Sequence, residues 1–192
     1  QPSYGISNAK ILYEIMEEGE ISRQLAIIDN WQGLDRIGNI RSCRDYYISI
    51  ATEWDPILIH FGGVCYMADR ITAPDIPGAG SFFRTTDRKA PHNAYISANG
   101  ITSACQALGY SLSTRPDYYN TSHFTFANGV NTLEQYGNAI PGNVIDLSQI
   151  FTYTKSYFTY DAASGQYLKN LHGKPQKEAK QTLIDATGID LS

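Results

Sequence analysis

The stretch from Asp87 to Ser97 reads D-R-K-A-P-H-N-A-Y-I-S. Arg88 and Lys89 offer fixed charge to a phosphate or carboxylate, and His92 offers a proton donor or acceptor close by. Pro91 sets its own φ and pushes Ala90 towards extended geometry, so His92 and Asn93 leave from a stiffened backbone. The same residues make a structural corner if Asn93 caps a turn and Arg88 pairs with Asp87. The stretch is therefore an active-site loop, an anion clamp or a rigid turn, and its own residues do not choose.

Two further clusters carry comparable chemistry. Arg41 and Arg44, in G-N-I-R-S-C-R-D, stand just before an expected helix. There they form a local anion site with the free backbone N–H groups, or pair with Asp45, Glu53 or another carboxylate to hold the helix. Glu53-Trp54-Asp55 and His60-Phe61-Gly62-Gly63 make the third cluster. A histidine at the end of a buried strand, followed by glycines, sits where open sheets place ligands. The alternative is a hydrogen-bonded core histidine.

Other chemistries lack their signatures. There is no GxxxxGKS/T phosphate loop, no GxGxxG after a strand, no HExxH and no GxSxG elbow, and nothing calls for a cofactor. His60, His92, His123 and His172 are scattered, so no metal site is expected from spacing. Cys43, Cys65 and Cys105 have no zinc-type or CxxC spacing and read as small buried hydrophobes. The net charge of −4 disfavours non-specific nucleic-acid binding, which needs a basic face. No apolar run approaches the roughly 20 residues that span a bilayer. Gln1 to Gly5 has neither the basic start nor the apolar core of a signal peptide, which leaves room for a removed leader.

The elements that must position these groups follow from pattern. Apolar content of 42% with 18% charged residues predicts a packed globular protein. Ile11 to Ile15 and Ile21 to Ile28 read as strands about a turn. A helix is expected over Asp45 to Trp54, a buried strand over Ile57 to Phe61, and a short helix around Tyr66 to Ile71. Ser97 and Gly109 are the natural caps of a helix over Ile101 to Leu108. Short strands are expected within Arg115 to Asn143, a hairpin over Tyr157 to Lys169, and a helix over Lys177 to Ala186. Without a strict βαβ rhythm this is α+β with a mixed sheet flanked by helices. Through residue 120, eight of ten basic residues are arginine; beyond it all are lysine. Arginine suits fixed pairing with anions, so the first part is where organised chemistry is expected.

Several runs carry a family resemblance. I-L-Y-E-I-M-E-E-G-E-I-S-R, I-R-S-C-R-D-Y-Y, E-W-D-P-I-L-I-H-F-G-G and R-K-A-P-H-N-A-Y-I-S follow, in order and spacing, the pattern of YerB-like lipoproteins. The resemblance covers residues 1–175, and R-K-A-P-H-N-x-Y is not a generic pattern. The family consists of uncharacterised extracytoplasmic proteins, mainly of Gram-positive bacteria. Matching positions are Glu14, Glu18, Arg23, Arg41, Arg44, Glu53, Trp54, His60, Arg88, Lys89, His92, Asn93 and Tyr95. The departures are Ser22 for threonine, Val64 for serine, and Cys43 for a small residue. Lys169, Gln176 and Glu178 also stand where relatives carry arginine and a Pro-His-x-Asp motif.

The resemblance implies a lipidated cysteine and a first strand upstream of Gln1. It also implies a main N-terminal domain over 1–148 and the beginning of a smaller strand-rich domain over 149–192, with further strands beyond Ser192. Localisation would be extracytoplasmic, with the lipid as the only membrane attachment. The function expected is binding or regulation in the cell envelope. Arg41, Arg44, Glu53, His60, Arg88, Lys89, His92 and Asn93 would engage an anionic envelope component or an envelope protein. The rival is a hydrolase or transferase acting on an anionic wall polymer, with Glu53 or His60 as base and His92 as acid.

Overall fold

The computed structural model describes residues 3–78, 80–118, 124, 128 and 135–179. The architecture is α+β, with several small sheets and two α-helices among the described residues. It divides into two compact units that interleave along the chain. The first comprises Gln1–Ile11, Ala26–Thr121 and Lys177–Ser192; the second comprises Leu12–Leu25 and Ser122–Gln176.

The first unit is organised around β7 (Ala94–Ile96), whose residues are all buried. It pairs antiparallel with β3 (Ile37–Gly38) on one side and β6 (Phe82–Arg84) on the other. Gly38 takes φ 130°, and a Cβ there would lie 2.6 Å from the Ile40 nitrogen, so only glycine lets the chain turn there. A separate parallel pair joins β4 (Leu58–Ile59) to β5 (Asp75–Ile76). Helix α2 (Ala98–Leu108) starts at Ser97, whose Oγ accepts from the Gly100 N–H at 3.1 Å, and ends at Gly109 with φ 71°. Both caps are those expected from sequence. Ile101, Ala104 and Cys105 recur on one helical face and pack with Ile37, Ile76 and Ile96. Each buried isoleucine contributes roughly 1.5–3 kcal/mol of transfer free energy.

The shorter helix α1 (Asp45–Ala51) buries Tyr47, Ile48 and Ala51. A 3-10 turn over Thr52–Trp54 finishes it, so the expected helix exists with its last turn tightened. The expected short helix near Tyr66 is a 3-10 run, Cys65–Arg70. The helix expected over Lys177 to Ala186 is not what its first residues form. Glu178 bridges Ser3 in parallel, and its carboxylate accepts from the Gly5 and Ser7 N–H groups, which fixes extended backbone instead. Residues 180–186 of that segment lie outside the described residues, as do 119–123, 125–127 and 129–134, where short strands are expected.

β1 (Ile11–Met16) and β2 (Ser22–Ile27), of which Leu12–Leu25 is counted in the second unit, form the expected hairpin, closed by Glu17 N–H donating to the Ile21 carbonyl at 2.7 Å. A four-stranded antiparallel sheet runs in the order β11 (Lys174–Pro175), β10 (Gln166–Leu171), β9 (Tyr157–Asp161), β8 (Val144–Asp146). The β9–β10 turn is held by Asp161, which accepts from Ser164 Oγ at 2.6 Å. Ser156 is fully buried and donates to Glu14, which also accepts from Ser22 and from Lys169.

Candidate functional site

The loop from Thr85 to Asn93 is clamped at its base. Asn93 is buried at the start of β7, where its amide donates to the Thr85 carbonyl at 2.9 Å and its oxygen accepts from Arg84 at 2.7 Å. The loop turns where His92 N–H donates to the Lys89 carbonyl at 3.0 Å, around a cis Ala90–Pro91 bond. Tyr95, wholly buried, donates its hydroxyl to the His92 carbonyl.

Two guanidinium groups bear on His92. Arg41 reaches the loop because Ile40 N–H donates to the Ala94 carbonyl, which lays its segment beside β7. It donates to the Pro91 carbonyl at 3.1 Å and lies 3.0 Å from His92 Nδ1. Burial, then the charges of Arg41 and Arg88, lower the His92 pKa below its usual value. Arg88 stacks over the Tyr4 ring at 5.2 Å, and its Nη1 is buried without a hydrogen bond. Lys89 is exposed. Asp87, the loop's own carboxylate, is taken by Arg36 at 3.0 Å. Burial opposes its ionisation, but the Thr85 hydroxyl and the Arg36 charge outweigh that and lower its pKa.

Arg36 was not marked by sequence. It is 6% exposed, with its guanidinium carbon 3.9 Å from the Tyr4 ring centre and 4.1 Å from that of Tyr95. Tyr4 is distant in sequence, so the single available signal was the preference for arginine in the first part of the chain. Asp75 carries no signal in the sequence either, because its tie to His60 runs across the β4–β5 pair.

The remaining candidates go elsewhere. His60 is 3% exposed, and its Nδ1 lies 2.9 Å from the Gly62 carbonyl while Nε2 lies 3.1 Å from Asp75. Arg44 donates to the Cys43 carbonyl and to Ser42. Asp45, one expected partner of the arginines, pairs with Arg70. Glu53 is exposed in the turn after α1. The structure thus brings Arg41, Arg88, His92 and, by chain continuity, Lys89 and Asn93 together. It gives His60 a separate set of partners. Cys43 and Cys105 are buried and unlinked as expected, whereas Cys65 is exposed. Among the described residues no group of three His, Cys, Asp or Glu side chains is placed to hold a metal.

A family model described as "Protein of unknown function (DUF3048) N-terminal domain" matches residues 1–111, more than half of the chain. The chain belongs to this family. All eight candidate residues fall inside the matched DUF3048 segment. The Bacillus subtilis (strain 168) protein named "Putative lipoprotein YerB" is 32% identical over 214 aligned residues, covering 100% of this chain and 63% of that protein. The chain therefore spans less than two thirds of that relative's length. The crystal structure of YerB from Bacillus subtilis matches with a TM-score of 0.69 at 23% identity, over 93% of this chain and 59% of that one. The YerB-like resemblance and the α+β fold class are borne out.

Proposed function

We propose that this DUF3048 protein is a lipid-anchored, extracytoplasmic binding or regulatory protein of the cell envelope. Its first unit would engage an anionic envelope component, or an envelope protein presenting one, through Arg41, Arg88, Lys89 and His92. One observation carries the reading. In a chain of net charge −4, Arg41 and Arg88 both bear on His92 beside exposed Lys89, while the loop's carboxylate is occupied by Arg36. A phosphate or carboxylate brought there meets donors and positive charge on a loop already fixed in shape.

The lipid anchor follows the name of the Bacillus subtilis relative. Among the described residues no helix is long and apolar enough to cross a membrane. Hydrolysis or transfer on an anionic polymer has less support. Both ring nitrogens of His60 already face oxygens, and His92 Nδ1 is engaged by Arg41. The test titrates inorganic pyrophosphate and purified anionic wall polymer into the wild-type chain and into an Arg41→Ala, His92→Ala variant. Affinity about tenfold weaker in the variant is expected. Equal binding by both proteins would remove the reading.

A further inference from the structure

The first unit holds a recess of about 750 Å³ that the anion-binding reading does not use. The 3-10 run Cys65–Arg70 contributes one part of its lining and the segment through β5 another, and Tyr110 also lines it. That volume is typical of small-ligand sites, which are mostly apolar with a few placed polar groups. Val64, Ile71, Pro74 and Pro77 supply apolar lining here.

The polar floor is specific. His60 is buried, and its two ring nitrogens face Gly62 and Asp75 Oδ2, which leaves the ring no nitrogen for a ligand. Asp75 is different. Its backbone is fixed by pairing with Leu58, one carboxylate oxygen is fixed by His60, and Oδ1 makes no hydrogen bond among the described residues. Its side chain is 22% exposed. The recess therefore presents one carboxylate oxygen, its fellow oxygen held by His60, among a lining that is mostly but not wholly apolar.

We infer that this recess binds a primary ammonium group carried on an apolar chain, with Asp75 Oδ1 accepting from the ammonium. A purely apolar occupant would strip water from that oxygen and return no hydrogen bond, and an anion would meet like charge. An ammonium supplies donors and opposite charge together. This charge preference is opposite to that proposed for the Arg41–His92 surface, so the two sites fail or stand separately.

The test titrates n-hexylammonium chloride into the full chain, followed by backbone amide NMR, with hexan-1-ol as the uncharged comparison. Saturable binding with shifts at Asp75 and Tyr110 is expected, with hexan-1-ol about tenfold weaker or worse. Asp75→Asn should weaken hexylammonium binding by a similar factor. Ala68→Trp, at an exposed lining position, should block the recess without disturbing the core. Arg41→Ala should bind hexylammonium as the wild type does. Equal affinity for hexan-1-ol, unimpaired binding by Ala68→Trp, or loss of binding in Arg41→Ala would each overturn the assignment. The alcohol comparison and Ala68→Trp keep it open to refutation should Asp75→Asn fold poorly.

Discussion

Arg41 donates to His92 Nδ1 across 3.0 Å, so the neutral imidazole carries its proton on Nε2. An arginine is always a donor, and this contact therefore sets the tautomer as well as the position of the ring. The exposed ring is left with an N–H rather than a lone pair on its second nitrogen.

His92 should titrate below the ordinary 6.5, because burial and then Arg41 and Arg88 disfavour its charged form. The folded state prefers the neutral ring, so this contribution to stability is complete above pH 6.5. It is lost as pH falls below 6.5 through the folded midpoint. Following the His92 ring by NMR should give a depressed midpoint that moves up towards 6.5 in Arg41→Gln. A wild-type midpoint at or above 6.5 would contradict the geometry.

Arg36→Met should destabilise the protein by about 2 kcal/mol in denaturant unfolding, since it removes a buried cation from two tyrosine rings and from Thr85. Asp87→Asn should cost under about 1 kcal/mol, because that carboxylate is 41% exposed. The order matters more than the size. Equal losses would mean that the ion pair, not the ring contact, holds Arg36.

In the second unit, Glu14→Ala should cost about 3 kcal/mol, because Lys169 is left largely buried without its counter-charge. Adding Lys169→Met should recover much of that loss. Burial opposes ionisation of Glu14, but hydrogen bonds from Lys169, Ser22 and Ser156 outweigh it and lower its pKa below 4.5. Its stabilisation is present above pH 4.5 and lost as pH falls through the folded value. Acid unfolding of Glu14→Gln should be correspondingly flatter below pH 4.5 than that of the wild type.

Ser97→Ala should cost about 1 kcal/mol, since it removes the acceptor for the Gly100 N–H at the start of α2. A melt indistinguishable from the wild type would show that water replaces the hydroxyl without penalty.

Local signals made much of the fold legible in advance. Ser97 and Gly109 bracket α2, and the Glu17–Glu20 turn and Ala162–Gly165 turn mark hairpins, because caps and turns depend on a few neighbouring residues. The site was legible in part. Arg41, Arg88, His92 and Asn93 stand out by their chemistry, yet nothing near Arg36 announces Tyr4 or Tyr95 as its companions. Such stacking depends on how β3 and β7 pair, which no short window contains. Glu178 shows the converse: its composition suited a helix, but a long-range claim on the Gly5 and Ser7 amides overrode local preference.

The chain enters the second unit twice and leaves it twice. During synthesis the β1–β2 hairpin leaves the ribosome early with Ser22, but the other two partners of Glu14 follow 142 and 155 residues later. At ordinary translation speeds of about 5–20 residues per second, that carboxylate waits roughly ten to thirty seconds for Ser156 and Lys169. A two-stranded hairpin is marginal alone, so this unit assembles after translation of its last strands rather than from its first residues onward. No single recombination break can hand on either unit as a cassette, and the pair is inherited together.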